Sequence, residues 1–190
     1  YKPEDCYRFH DAVERAVMPV AQRIYTRRQK LMGVDTLRPW DRTVDPLSRS
    51  PLRPFSTTAE FVSGTREVFT RVHPAFGEQF QFMADHGLLD LESRKGKAPG
   101  GYQSTLQEKR WPFIFGNAVG RDMDLRMLMH EGGHAFHMLA AREEPLMEYR
   151  HAPMEFCEVA SMGMELLVIP QLQVFYQYLE ESQRAYRARL

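Results

Sequence analysis

The stretch Met127-Leu128-Met129-His130-Glu131-Gly132-Gly133-His134-Ala135-Phe136-His137 decides how the rest of the chain is read. On a helix, side chains at i and i+4 lie one turn apart on one face, so the imidazoles of His130 and His134 can reach one ion. Neutral imidazole suits zinc, a borderline-soft cation. Glu131, beside the first histidine, is placed to take a proton from the water that a bound zinc activates. His137 faces the same side as His130 and reads as a packed or supporting group, not a ligand. Gly132 and Gly133 each cost about 1 kcal/mol inside a helix, which predicts a close neighbour against that face.

Working outward, the helix that carries this motif is expected to start at Asp122 or Asp124, either of which can cap it, and to reach about Arg142 before Pro145. A second helix is predicted with Pro153 in its first turn, running through Leu167 and bent by Pro170. It carries Glu155, Glu158 and Glu165. At about 100° per residue, Glu158 and Glu165 share a face and Glu155 lies about 60° away. Such a stripe is costly to bury without a cation. The break at Pro145 makes the two helices an antiparallel pair and brings the stripe over His130 and His134. Two histidines and one of these carboxylates leave a fourth position open, the arrangement of a hydrolytic and not a structural zinc site.

Further upstream, helical spacing runs from Glu4 to Met32, with a kink expected at Pro19 and a stop at Gly33. Val34 to Phe55 carries four prolines and reads as an irregular connection. Thr57 and Glu60 form a capping-box pattern, opening a helix to about His86 that is broken or bent near Pro74 and Gly77. Lys95 to Gly101 is a loop, and Tyr102–Leu106 and Trp111–Phe115 are expected to be paired strands. The final run, Gln171 to Leu190, is helical in pattern. The fold class that results is mainly α with one small β-sheet, as a single domain over residues 1–190.

Composition narrows the function classes. A chain of 190 residues with 43% hydrophobic and 26% charged residues suits a folded domain. A formal net charge of +0 lacks the basic surplus of a dedicated nucleic-acid binder. No apolar run approaches the ~20 residues of a membrane span. Cys6 and Cys157 belong to no metal-type spacing, so no disulfide framework is expected and a reducing, cytoplasmic setting is favoured. The start, Tyr1-Lys2-Pro3-Glu4-Asp5, has neither an initiator Met nor an apolar signal core and reads as a piece of a longer chain.

With these residues in place, the chain resembles the oligoendopeptidase F and thimet oligopeptidase family of zinc metallopeptidases. His130 to His137 is similar to that family's HExGHxxH helix, and Glu155-Phe156-Cys157-Glu158-Val159-Ala160-Ser161 resembles its second metal helix. Lys97-Ala98-Pro99-Gly100-Gly101-Tyr102 resembles the family's GK-x-x-GAY turn, and Pro112 to Asn117 the strand after it. Position 127 is Met where the family usually shows Thr. The resemblance implies a helical zincin-type catalytic domain in which the motif helix packs on the second metal helix. It also implies one zinc per chain held by His130, His134 and Glu158, with Glu131 as catalytic base and short peptides as substrates. The family's His and Tyr groups that hold substrate are expected beyond Leu190, so the piece alone can be inactive. Two other readings remain at this stage: a zinc carboxypeptidase on a related helical fold, and a non-catalytic helical scaffold. Neither nucleic acid nor membrane is an expected partner, and the oligomeric state is left open.

Overall fold

The computed structural model describes residues 1–176 and 179–187 and divides into two compact units, Tyr1–Pro51 and Leu52–Leu190. In the first unit, α1 (Pro3–Ala16) and α2 (Met18–Met32) replace the single kinked helix expected from Glu4 to Met32. The division falls at Val17, and Pro19 lies in the first turn of α2, where its missing N–H costs nothing. Proline here starts a helix instead of bending one. Gly33, at φ 65°, closes α2 in the left-handed conformation that glycine adopts without strain. Arg28 then donates from Nε to the Asp41 carbonyl at 2.8 Å and also bonds the Val44 carbonyl, tying the proline-rich connection to α2.

In the second unit, α3 (Thr58–Val72) opens with the expected capping box. Thr57 Oγ1 accepts from the Glu60 N–H at 3.1 Å, and Glu60 Oε2 accepts from the Thr57 N–H at 3.2 Å. α4 (Pro74–Asp85) restarts after His73 alone, so the break is at Pro74. Gly77 lies within α4 and breaks nothing. A Cβ there would run into Thr70 of α3, so this glycine serves the crossing of the two helices.

Three strands form a sheet in the order β1-β3-β2. β2 (Tyr102–Leu106) and β3 (Trp111–Ala118) pair antiparallel, with Gln103 opposite Ile114. β1 (Leu89–Glu92), which the sequence reading lacked, pairs parallel to β3 from Leu89 opposite Ile114. Pro112 therefore precedes the paired stretch, and no β1 bond is lost to its missing N–H. This order leaves β2 as an edge strand.

α5 (Asp122–Ala141) packs on the sheet and against α3 and α4, burying Leu125, Leu128, Met129, Ala135 and Phe136. Phe136 meets Phe69 of α3 edge-on at 4.8 Å, and Phe69 meets Phe80 of α4 at 5.3 Å. Each such ring contributes about 1.5–3 kcal/mol by leaving water.

The helix expected from Pro153 is also divided. A 3₁₀ turn, Met154–Phe156, precedes α6 (Val159–Leu167), and Glu158 stands at the N-cap with φ −94° and ψ 0°. A second 3₁₀ turn, Ile169–Val174, follows, and α7 (Leu179–Arg187) accounts for part of the helical run expected at the end. Residues 177, 178 and 188–190 of that run lie outside the described residues. Among the described residues, no helix is long and apolar enough to cross a membrane.

Candidate metal centre

α5 is aligned at its start by Asp124, not by Asp122. Arg121 is the N-cap, and Asp124 Oδ2 accepts from the N–H of Arg121 at 2.8 Å and of Val119 at 2.7 Å. A carboxylate in the first turn also faces the positive end of the helix dipole. Asp122 instead accepts from the Tyr176 hydroxyl.

The two glycines of the motif each meet a different neighbour. A Cβ on Gly132 would lie 2.5 Å from Phe69 Cζ. One on Gly133 would lie 2.6 Å from both the Ala160 carbonyl oxygen and Ser161 Cα. The close approach expected at these positions is thus α3 on one side and the backbone of α6 on the other.

That backbone contact sets α6 beside the histidines. His130 Nε2 is 3.1 Å and His134 Nε2 3.5 Å from one oxygen, Glu158 Oε2. Among the described residues, these three side chains form a group whose ligand-type atoms all lie within 4.8 Å of one another. The two rings stand nearly perpendicular, with centroids 4.9 Å apart. The buried Ser161 hydroxyl donates to Glu158 Oε2 at 2.7 Å. That bond, opposed by partial burial and helped by His134 and His130, holds the Glu158 carboxyl below its ordinary value.

Glu165 does something different from what its place on the stripe suggests. Its Oε1 lies 2.8 Å from His130 Nδ1, and its Oε2 accepts from Arg126 Nε at 2.6 Å. Burial pushes the Glu165 carboxyl up, and the bonds from His130 and Arg126 outweigh it, leaving it below its ordinary value. With Nδ1 turned to this carboxylate, His130 presents Nε2 to the centre. Glu155 stays outside the group, and His137 lines a cavity next to His134.

Glu131 is buried, and its Oε2 accepts from the Gln103 backbone N–H at 2.8 Å. Gln103 thereby turns its N–H away from β3 and towards the centre. The turn before β2 is itself pinned. Lys97, with its side chain 1% exposed, donates to the carbonyls of Asp90 at 2.9 Å and Glu92 at 2.8 Å, and its ammonium lies 4.5 Å from the Phe115 ring centroid. Asn117 Nδ2 donates to the carbonyls of Ala98 at 2.7 Å and Gly100 at 3.0 Å. Met127 fills the space left by Gly101 and Gly116, so β2 rests on the turn of α5 that precedes His130.

The donor set fits a metal ion. Two imidazole nitrogens face one carboxylate oxygen, the third partner is supplied from another segment, and one histidine is oriented from behind. Such a His₂Glu set is the kind that binds zinc with an open position. Sequence reasoning missed Gln103 and Arg126. The main-chain donor carries no residue signal, whereas Arg126 stands one turn before His130, a spacing that places both on one helix face.

The family model for peptidase family M3 matches residues 1–188. The chain is 27% identical over 176 residues to the group B oligopeptidase PepB of Streptococcus agalactiae, covering 90% of this chain and 28% of that protein. It is 26% identical over 155 residues to the chromosomal oligoendopeptidase F of Lactococcus lactis subsp. cremoris, covering 82% of this chain and 25% of that protein. The solved structure of PZ peptidase A with an inhibitor superposes with a TM-score of 0.89 and 31% identity, over 100% of this chain and 34% of the other. The chain thus spans about a quarter to a third of the length of the relatives it matches. The family match runs over nearly the whole chain and the fold is mainly helical and zincin-like, like that of the solved relatives: the chain belongs to peptidase family M3.

Proposed function

We propose that residues 1–190 form part of a zinc-dependent endopeptidase catalytic domain acting on short peptides. The observation that carries this reading is the convergence of His130 Nε2 and His134 Nε2 on Glu158 Oε2, beside the buried Glu131. One zinc per chain would be held by His130, His134 and Glu158. Zinc, when bound, supplies a Lewis acid that makes water nucleophilic near neutral pH and polarises the scissile carbonyl.

The chain's own groups do the rest. Glu131 has Oε2 engaged by Gln103, which leaves Oε1 to accept the proton from the attacking water and deliver it to the leaving amine. Glu165 and Arg126 keep His130 turned towards the centre. The free edge of β2 offers backbone groups along which an extended peptide can pair, a mode that selects weakly for side chains. Relatives named oligopeptidase and oligoendopeptidase support short peptides as substrates. Cys6 and Cys157, both free and exposed, suit a reducing compartment such as the cytoplasm.

Metal analysis of the chain purified without added metal tests the first half of this reading, with about one zinc per chain expected and its loss on His134→Ala. Hydrolysis of a peptide blocked at both ends tests the second. Cleavage between internal residues supports an endopeptidase, and a requirement for a free end would replace that reading with a carboxypeptidase. A chain that takes up no zinc after reconstitution overturns the site.

A further inference from the structure

Next to His134, away from Glu165, lies a cavity of about 170 Å³ whose walls include Arg110, Arg142 and Arg150 together with His137 and His151. No carboxylate lines it. The arginines come from three places: the β2–β3 turn, the end of α5, and a 3₁₀ turn over Met147–Arg150. Arg110 donates from Nη1 to the Arg142 carbonyl at 2.8 Å. Arg150 donates to the carbonyls of Glu144 at 2.6 Å and Pro145 at 2.9 Å. Neither forms a salt bridge among the described residues, and main-chain carbonyls hold both guanidiniums. Each keeps N–H donors to spare out of the five a guanidinium carries. Arg142 alone pairs with an acid, the exposed Glu143 at 2.9 Å.

The β2–β3 turn adds an independent sign. Arg110 has φ 52°, a left-handed position that favours glycine or asparagine. A turn that glycine would serve with less strain holds an arginine that lines the cavity instead, the kind of local cost found where a side chain is needed. Thr105 and Gln103 of the β2 edge share the same cavity. A peptide lying along that edge would therefore border the cavity that the three arginines line.

We propose that this cavity is an anion subsite that receives a carboxylate of the bound peptide, either an acidic side chain or a free terminal carboxylate. The inference rests on the peptidase reading for the identity of the ligand, and it names what the site selects: peptides that present a carboxylate to the cavity over those that present a neutral or basic group. Guanidinium and carboxylate match in shape and charge, and partial burial strengthens such a pair.

The test is calorimetric binding to the zinc-loaded Glu131→Gln chain. The probes are an alanine pentapeptide blocked at both ends with a central Glu, Gln or Lys, and the all-alanine peptide with and without a free carboxyl terminus. The Glu peptide or the free-terminus peptide should bind at least about tenfold more tightly than its neutral counterpart, with Lys weakest. The two pairs tell a side chain from a terminus. Arg110→Gly, which suits the turn's φ and should fold at least as well, and Arg142→Gln, on an exposed side chain, should each shrink the ratio to within about threefold. Equal affinity for acidic and neutral probes, absence of binding by both carboxylate probes, or an undiminished ratio in both variants overturns the subsite. Because binding is read without turnover, failure of the hydrolysis assay leaves this result standing by itself. Hydrolysis with no acidic preference sinks the subsite alone.

Discussion

The Gln103 N–H and Glu131 Oε2 lie 2.8 Å apart, joining the edge strand β2 directly to the residue that follows the first histidine. A main-chain donor on a strand pinned by Lys97 holds that carboxylate in one orientation and marks one of its oxygens as occupied. This supports Glu131 as a base and also predicts that the strand reports on its charge.

Replacing Glu131 with Gln should leave zinc content unchanged while turnover falls by about 10²–10⁴-fold, the usual worth of a positioned base. The amide NMR resonance of Gln103 should move in the same variant, since its acceptor becomes neutral. Wild-type turnover in the variant would remove Glu131 from the chemistry.

Glu165→Gln should weaken zinc binding by about 10–100-fold without loss of any direct ligand, because His130 Nδ1 loses its charged partner. Competition with a fluorescent chelator reads the affinity. If the constant is unchanged, Glu165 is only a packing partner of Arg126.

Gly133→Ala places a methyl against the Ala160 carbonyl and Ser161 Cα, both main-chain atoms that cannot rotate away. The expected cost is about 1–3 kcal/mol of stability, with zinc affinity falling as α6 is pushed off and Glu158 with it. Denaturant titration with and without zinc separates the two effects. A variant as stable and as zinc-avid as the parent would mean that the helices are not held at this contact.

Asp90 supplies the pH dependence. Bonds from Arg94 and then Lys97, against the opposing effect of burial, hold its carboxyl well below the ordinary 3.8. A group whose folded value lies below its unfolded value stabilises the fold above the unfolded value, and that contribution fades as pH falls towards the folded one. Asp90→Asn should therefore be less stable than the parent at about pH 6, and the gap should start to narrow only below about pH 3.8 and be much smaller at about pH 2.5. Denaturation midpoints at the two pH values decide it, and a gap that does not change with pH would remove Asp90 as the source.

Much of this is legible in the sequence. The i, i+4 histidines, the capping box at Thr57 and Glu60, and the paired strands around Gly101 to Phe115 are local patterns, and each formed as read. What escaped has a common cause, dependence on partners distant in the chain. β1 is four residues long with two acids, and only its parallel pairing with β3 makes it a strand. Pro153 signals a helix start, but the chain makes a 3₁₀ turn first, which moves Glu158 from a helix face to a helix cap. That shift separates Glu158 from Glu165, which helical geometry had placed together, and sends them to opposite nitrogens of His130. The three arginines of the cavity follow no helix or strand period, since the β2–β3 turn and the irregular stretch after α5 bring them together.

The exposure of the three donors divides the centre into stiff and compliant parts. The His130 and His134 side chains are 26% and 22% exposed on a helix locked by its glycine contacts, whereas the Glu158 side chain is 56% exposed. An incoming cation would meet an imidazole pair on that helix and a more exposed carboxylate held at one oxygen by the Ser161 hydroxyl. Differences in ionic radius would then fall mainly on the Glu158 carboxylate. Exchange of zinc for cobalt or manganese should therefore leave the imidazole geometry constant and register in whether Glu158 binds through one oxygen or two.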